Sequence, residues 1–196
     1  MIASETESAI GKTALRRQIQ SRIASFDPDS ARRAADQAAA RILALPEVAQ
    51  ARRIFACLSF GGEIDTWGLV ERLLAQGRQV LVPRADPETK RLHIHPYPCQ
   101  LRPLSFGLRQ PLAGSEEIPR QDIDSHIEVA LVLGLAFDRS GFRLGHGAGY
   151  FDRFLAGRPF PAIGLAYHFQ LLDRIPVEPH DVPMAVIVTE QVAYRA

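Results

Sequence analysis

The chain has very little lysine, cysteine or tryptophan, and it has no long apolar run. Only Lys12 and Lys90 are lysines among 23 basic residues, and the formal net charge is +1. Because this balance provides no field that would attract a polyanion, we expect neither a nucleic-acid partner nor a membrane partner. No apolar stretch reaches the length of a membrane span, and the N-terminal residues lack the basic and apolar parts of a secretory signal.

The two cysteines do not suggest a disulfide framework. Cys57 lies in an apolar segment and Cys99 in a proline-rich one, which is typical of reduced thiols in a cytoplasmic protein; a single disulfide is the alternative. Hydrophobic residues make up 46 % of the 196 residues, which argues against disorder. We expect a flexible tail over residues 1–10 and a single domain over residues 11–196, in a monomer or a weak dimer.

Helical and strand-like patterns alternate along the chain. The apolar periodicity and the turn residues predict helices over residues 12–25, 29–45, from 65 or 66 to 77, and 150–156. They predict strands over residues 53–60, 79–83, 92–95, 127–137, 162–166 and 185–189, with a long loop over residues 96–119. This alternation predicts an α/β layered domain with a mainly parallel central sheet.

A glycine-rich segment is the most informative part of the sequence. Gly145, Gly147 and Gly149 alternate with other residues, which frees the backbone and leaves N–H groups uncovered for an anion. Arg143 adds a positive charge before them and Asp152 a carboxylate after them, as a magnesium-bound nucleotide requires. A plain glycine-rich turn is the alternative, because the usual dinucleotide spacing and the Gly-Lys-Ser/Thr pattern are both absent.

The position of this segment favours an active-site loop. It follows the apolar run over residues 127–137, which predicts one buried parallel strand, and open α/β sheets place their ligands beyond such strand ends. No nucleophile elbow or Ser/His/Asp arrangement accompanies it. His93 and His95 alternate on one strand with no further metal ligand at a suitable spacing, so we expect both to be partly exposed strand residues.

Four further residues are candidates for the same site. Lys12 and Arg16 lie four residues apart, on one side of a helix, where a bound polyphosphate would offset their mutual repulsion. The alternative is a solvated basic face. Glu63 follows a Gly-Gly pair after the first strand, where a carboxylate could accept paired N–H bonds from an aminopyrimidine-type ring; a strand-to-helix turn with Glu63 in solvent is the alternative. Asp181 precedes the last strand and could supply a metal ligand, and an ordinary loop is the alternative there.

In chain order, these motifs resemble the 5-formyltetrahydrofolate cyclo-ligase family, also called 5,10-methenyltetrahydrofolate synthetase. Lys12–Arg16 is similar to the family's Lys-x-x-x-Arg, and Glu63–Thr66 to its Glu-Ile-Asp/Glu-Thr. Gly134–Asp138 is similar to its Gly-Leu-Ala-Phe-Asp, and His180–Asp181 to its His-Asp pair. Gly141–Arg153 resembles its longest motif, Gly-x-Arg-Leu-Gly-x-Gly-x-Gly-Tyr-Tyr-Asp-Arg. Leu133, His146, Ala148 and Phe151 differ from residues common in the family, and none of these differences removes a charged group.

The resemblance implies a three-layer α/β fold and an ATP-dependent ligase that cyclises 5-formyltetrahydrofolate, with Mg²⁺ as cofactor and ATP as co-substrate. The implied catalytic residues are Lys12, Arg16 and Arg143, and the implied metal ligands are Asp152 and Asp181. The implied ATP-binding residues are Lys12, Thr13, Ala14, Leu15, Arg16, Arg143, Leu144, Gly145, His146, Gly147, Ala148, Gly149, Tyr150 and Phe151. The implied substrate-binding residues are Leu58, Glu63, His146, Gly147, Ala148, Gly149 and Tyr150.

The sequence is also compatible with two other functions. One is a non-catalytic folate- or nucleotide-binding paralogue, although such a protein is expected to lack one of the charged residues that this chain keeps. The other is a different phosphate-handling enzyme of similar architecture, which would not require ATP.

Overall fold

The computed structural model describes residues 11–196, and the tail expected over residues 1–10 lies outside them. The helices are α1 (Lys12–Ala24), α2 (Pro28–Ala44), α3 (Pro46–Gln50), α4 (Trp67–Ala75), α5 (Ile123–His126) and α6 (Tyr150–Leu155). The strands are β1 (Arg53–Ala56), β2 (Gln79–Asp86), β3 (Arg91–Tyr97), β4 (Leu101–Pro103), β5 (Arg109–Pro111), β6 (Val129–Leu133), β7 (Ala136–Asp138), β8 (Arg143–Leu144), β9 (Ala162–Leu165), β10 (Leu171–Leu172), β11 (Val186–Val188) and β12 (Ala193–Arg195).

A seven-stranded sheet forms the centre of the molecule, in the order β12-β11-β9-β6-β1-β2-β3. The five inner strands pair in parallel, and β3 and β12 pair antiparallel at the two edges. The inner strands β6, β9 and β11 are buried along their whole length, because helices cover a parallel sheet and its strands can therefore be continuously apolar. The predicted α/β architecture with a mainly parallel sheet is confirmed.

The apolar run over residues 127–137 is not one strand, and this prediction was wrong. β6 belongs to the central sheet, whereas β7 belongs to a second sheet in the order β10-β7-β8. The chain changes sheets at Gly134 and Leu135, whose carbonyl oxygens accept hydrogen bonds from the buried Gln170 side chain at 3.1 and 2.9 Å. Because both strands are buried, the apolar pattern continues through the break and does not mark it.

Other parts of the chain also differ from the prediction. β1 ends at Ala56 rather than at residue 60, because the Thr66 side chain then bonds the carbonyl of Cys57 and the amide of Ser59, both at 2.8 Å. The loop over residues 96–119 contains the β4–β5 hairpin. His95 is fully buried rather than partly exposed, because the segment around Glu116 covers β3; its Nδ1 lies 2.7 Å from the Glu116 carbonyl oxygen.

Two buried clusters hold the elements together. The larger lies around the central sheet and includes the alanine face of α2 and the apolar face of α4. The smaller consists of Leu15 and Ile19 from α1 with Leu135, Leu144 and neighbouring residues. This second cluster fixes α1 beside β7 and β8, and this position determines where the polar side chains of α1 lie.

Cys57 and Cys99 are both free thiols. Among residues 11–196, none of the helices combines the length and the apolar character that a bilayer crossing requires.

Candidate active site

A cleft of about 260 Å³ lies where the chain leaves β1 and β6. Cys57 and Leu58, directly after β1, and Leu133, the last residue of β6, form part of its wall. Burial raises the pKa of the Cys57 thiol to about 12, so this side chain is an uncharged part of the wall. The sequence-predicted residues in the lining are Lys12, Arg16, Leu58, Glu63, Arg143, Leu144, Gly145, His146, Gly147, Ala148, Gly149, Tyr150, Phe151, Asp152 and Asp181.

Three of the predicted nucleotide-binding residues do not line the cleft. Thr13 and Ala14 are exposed on α1, and Leu15 is buried in the smaller core cluster. The helix thus turns Lys12 and Arg16 to the cleft, while Leu15 on a neighbouring face anchors α1 in the core.

Lys12 is held by two carboxylates from the far end of the chain. Its ammonium donates to Asp181 Oδ2 at 2.8 Å and to Glu178 Oε2 at 2.9 Å. Burial alone would lower the pKa of Lys12, but the bonds and charges of Asp181 and Glu178 outweigh it and raise the pKa above its ordinary value. For Asp181, burial would raise the pKa, and the bonds from Lys12 and from the Glu178 amide lower it instead. Both groups are therefore charged at neutral pH.

Arg143 and Asp152 form the most buried ion pair in the cleft. Arg143 Nη2 lies 3.1 Å from both Asp152 oxygens, and the exposed fractions of the two side chains are 3 % and 13 %. The Arg143 guanidinium also lies over the Phe151 ring, 5.2 Å from its centroid. Its Nε is buried and has no acceptor in the described part of the chain. The positive charge is thus fixed in place beneath the glycine loop.

The glycine loop needs its glycines for two reasons. Gly147 and Gly149 have φ angles of 103° and 65°, which side chains rarely adopt. A Cβ at Gly145 would lie 2.5 Å from Arg143 Nη1, so the absent side chain makes room for the guanidinium. Arg16 approaches the same loop and donates from Nε to the Gly145 carbonyl oxygen at 2.9 Å. Arg16 and Arg143 therefore both contact the backbone at Gly145.

Glu63 lies on another side of the cleft. Its Oε2 accepts the Phe60 amide at 3.1 Å, and its Oε1 lies 3.2 Å from His146 Nε2 on the glycine loop. The His146 ring also packs near the Phe60 ring, with 5.7 Å between centroids. The glycine loop thus contacts the loop after β1 through a single polar bond and an aromatic pair.

Glu178 was missed by the sequence reasoning, and His180 was noted only as part of the His-Asp pair. Ligand atoms of Glu178, His180 and Asp181 lie within 4.8 Å of one another, and all three residues line the cleft. Asp152, the other predicted metal ligand, lines the cleft with its oxygens directed to Arg143. Glu178, His180 and Asp181 lie outside the regular helices and strands, so no periodicity could have indicated which of them would meet Lys12.

The cleft therefore combines Lys12, Arg16 and Arg143 with carboxylates and the glycine loop at one side. At another side it has Glu63, whose side chain is 9 % exposed. Cations and loop amides suit phosphate oxygens, and carboxylates are the ligands that Mg²⁺ prefers. A buried carboxylate with paired acceptor oxygens suits a ring that carries adjacent N–H donors.

Comparison with known proteins gives consistent matches over most of the chain. A model of the 5-formyltetrahydrofolate cyclo-ligase family matches residues 8–190. The 5-formyltetrahydrofolate cyclo-ligase of Escherichia coli K12 is 30 % identical over 178 residues, covering 87 % of this chain and 96 % of the relative. The enzyme of that name from Mycolicibacterium smegmatis is 38 % identical over 148 residues, covering 70 % of this chain and 73 % of the relative.

A solved structure has the same fold. The NMR structure of the 5,10-methenyltetrahydrofolate synthetase of Aquifex aeolicus matches with a TM-score of 0.79 and 27 % sequence identity. The match covers 94 % of this chain and 92 % of that protein.

Proposed function

The chain belongs to the 5-formyltetrahydrofolate cyclo-ligase family, and from this membership we propose that it converts 5-formyltetrahydrofolate to 5,10-methenyltetrahydrofolate. ATP is cleaved to ADP and phosphate in the same cycle. The observation that carries the proposal is the convergence of Lys12, Arg16, Arg143 and Glu63 on one cleft, although they come from separate parts of the chain.

The chemistry requires activation of a formyl amide. The carbonyl of the N5-formyl group is a poor electrophile because the nitrogen donates electrons into it. Transfer of the γ-phosphoryl group from ATP to the formyl oxygen releases ADP and gives an iminium phosphate. N10 of the same molecule then attacks the formyl carbon, the C–O bond to phosphate breaks, N10 loses its proton, and the methenyl bridge remains.

The protein's part in phosphoryl transfer is charge neutralisation and positioning rather than covalent chemistry. Lys12 and Arg16 on α1 and Arg143 on β8 would neutralise phosphate oxygens, and the amides of residues 145–149 would bind them. Arg143 is suited to this role because its ion pair with Asp152 and its contact with Phe151 fix its orientation before any ligand arrives.

The carboxylates of the cleft fit the donor chemistry of Mg²⁺. Asp152 and Asp181 would hold the ion, and Glu178 stands beside Asp181 with its ligand atom within reach. When bound, Mg²⁺ supplies positive charge to the transferring phosphate. Lys12 already bonds Asp181 and Glu178, so it lies next to the place where phosphates would bind.

The reduced pterin would bind on the other side, with Leu58 and Glu63 as its contacts and residues 146–150 closing over it. Glu63 offers a carboxylate held by the Phe60 amide. Tyr150, whose hydroxyl donates to the Asp86 carbonyl oxygen at 3.2 Å, ties the end of the glycine loop to β2.

The test is the purified protein with 5-formyltetrahydrofolate and Mg-ATP, followed by the near-ultraviolet absorbance of the methenyl product. We expect product and ADP in equal amounts. Folate binding without turnover would favour the non-catalytic paralogue. The absence of both binding and turnover would exclude the proposed substrate.

A further inference from the structure

The contact between His146 and Glu63 has a consequence for substrate entry. A carboxylate only accepts hydrogen bonds, so His146 must donate from Nε2 across the 3.2 Å that separates it from Glu63 Oε1. The Phe60 amide donates a hydrogen bond to the other oxygen, Oε2, at 3.1 Å. Both oxygens of Glu63 therefore have a protein donor.

The burial of Glu63 leaves little room for a further donor. Its side chain is 9 % exposed, whereas that of His146 is 47 % exposed. A ring with adjacent N–H donors needs both carboxylate oxygens side by side. The Phe60 amide is part of the loop that carries Glu63, so the imidazole is the partner that can leave.

The residues around His146 allow such a movement. Gly145 and Gly147 flank it, so neither neighbour carries a side chain that would block the imidazole from turning away from Glu63. The backbone itself stays held at its carbonyl oxygens by Arg16 and Arg153. The Phe60 ring, with its centroid 5.7 Å from that of His146, is an apolar contact that a flat ligand ring could replace.

We propose that His146 is a displaceable latch: its imidazole closes the glycine loop onto Glu63 in the ligand-free protein and is expelled when a 2-amino-4-oxopyrimidine ring binds that carboxylate. This proposal rests on the proposed function, because the ring is that of a reduced pterin. His146 then acts as a positioning residue that opposes folate binding until the loop opens.

The test compares His146→Phe, which keeps an aromatic ring beside Phe60 but has no donor, with His146→Gln, which keeps a donor. Calorimetry with 5-formyltetrahydrofolate in the absence of nucleotide should show tighter binding by His146→Phe, on the order of 10-fold. This is the low end for a hydrogen bond to a charged group, because the His146 side chain is 47 % exposed. His146→Gln should bind less tightly than His146→Phe, because its amide can still donate to Glu63. His126→Ala, which changes a histidine outside the cleft on α5, is the matched control and should bind as wild type does.

A second measurement does not use the folate. Amide hydrogen exchange over residues 145–149 in the ligand-free protein should be faster in His146→Phe than in wild type and unaltered in His126→Ala, because only the first variant loses the latch. A purely structural role for His146 would loosen the loop and weaken folate binding together.

The outcomes separate the two proposals. If wild type binds 5-formyltetrahydrofolate and His146→Phe binds it equally well or more weakly, the latch is wrong and the proposed function stands. If wild type binds no 5-formyltetrahydrofolate, the proposed function is wrong, and the latch proposal, which depends on this ligand, is wrong as well. Unchanged exchange over residues 145–149 in His146→Phe also overturns the latch.

Discussion

Lys12 and Arg16 lie one turn apart on α1, and each already has a partner in the cleft. Because charge-assisted hydrogen bonds are the stronger class, we expect Lys12→Ala and Arg16→Ala each to weaken ATP binding by about 1–3 kcal/mol. Isothermal calorimetry measures this directly. Folate binding without nucleotide should change little.

Arg17→Ala is the matched control for both variants, since Arg17 is the next residue on α1, is exposed and lies outside the cleft lining. It should bind ATP as wild type does. Equal ATP affinity in all three variants would show that Lys12 and Arg16 do not bind the nucleotide.

Asp152 has a structural partner as well as a predicted metal role. In Asp152→Asn the buried Arg143 keeps one acceptor oxygen but loses the opposite charge, so we expect the free energy of unfolding to fall by about 1–3 kcal/mol. At a temperature where the variant is fully folded, Mg-ATP-dependent turnover should be mostly lost and partly recovered at high Mg²⁺. Thermal melting and initial rates over a Mg²⁺ series give both quantities.

Asp124→Asn separates the two roles of Asp152. Asp124 is paired with Arg158 at 2.8 Å outside the cleft, so this variant also weakens an Asp–Arg pair but should keep normal turnover and Mg²⁺ dependence. Normal turnover in Asp152→Asn, or activity that follows the folded fraction alone, would show that Asp152 does not hold the metal.

At the scale of the elements, the contact between β9 and β7 sets the position of the second sheet. A Cβ at Gly164 of β9 would lie 2.4 Å from Cε1 of Phe137 on β7, which is fully buried and pairs with Arg143 of β8. Because a crowded core must shift backbone or side chains, we expect Gly164→Ala to lower the free energy of unfolding by about 1–3 kcal/mol. Denaturant unfolding measures the loss.

Adding Phe137→Leu to Gly164→Ala should recover part of that stability, because the two sites touch and their effects are then not additive. Gly68→Ala in α4 is the control, since its Cβ would meet only Asp65 Oδ2 at 3.7 Å and alanine favours a helix. Strictly additive losses in the double variant would mean that the Phe137 contact is not the cause.

At the scale of the whole molecule, the cleft exists only in the folded chain. It joins α1, the loop after β1, the glycine loop and the segment around Asp181, up to 169 residues apart in sequence. A ligand that binds only the folded state at 100 times its Kd adds about 2.7 kcal/mol of stability. We therefore expect Mg-ATP at that excess to raise Tm by roughly 5–10 °C.

Differential scanning calorimetry with and without Mg-ATP measures this shift. The double variant Lys12→Ala/Arg16→Ala should show a much smaller one at the same ATP concentration, because its affinity is lower. A shift of equal size in the double variant would place the nucleotide away from α1.

The sequence by itself determined the fold class and predicted most of the candidate residues that line the cleft. Uniformly apolar strands such as β9 and β11 and the amphipathic face of α4 depend on local periodicity, which a single chain displays directly. The Gly145–Gly149 loop, Arg143 and Asp152 are neighbours in sequence, so their meeting in one cleft follows from one turn of the chain.

Only the tertiary structure decided which distant groups meet. The change of sheet at Gly134 has no signature in an apolar run, because it depends on Gln170, a residue 36 positions away from it. Glu178 meets Lys12, and His146 meets Glu63, across gaps of 166 and 83 residues, from loops whose paths no periodicity records. Local pattern fixes what a segment buries, whereas the pairing of polar groups depends on how the buried faces pack together.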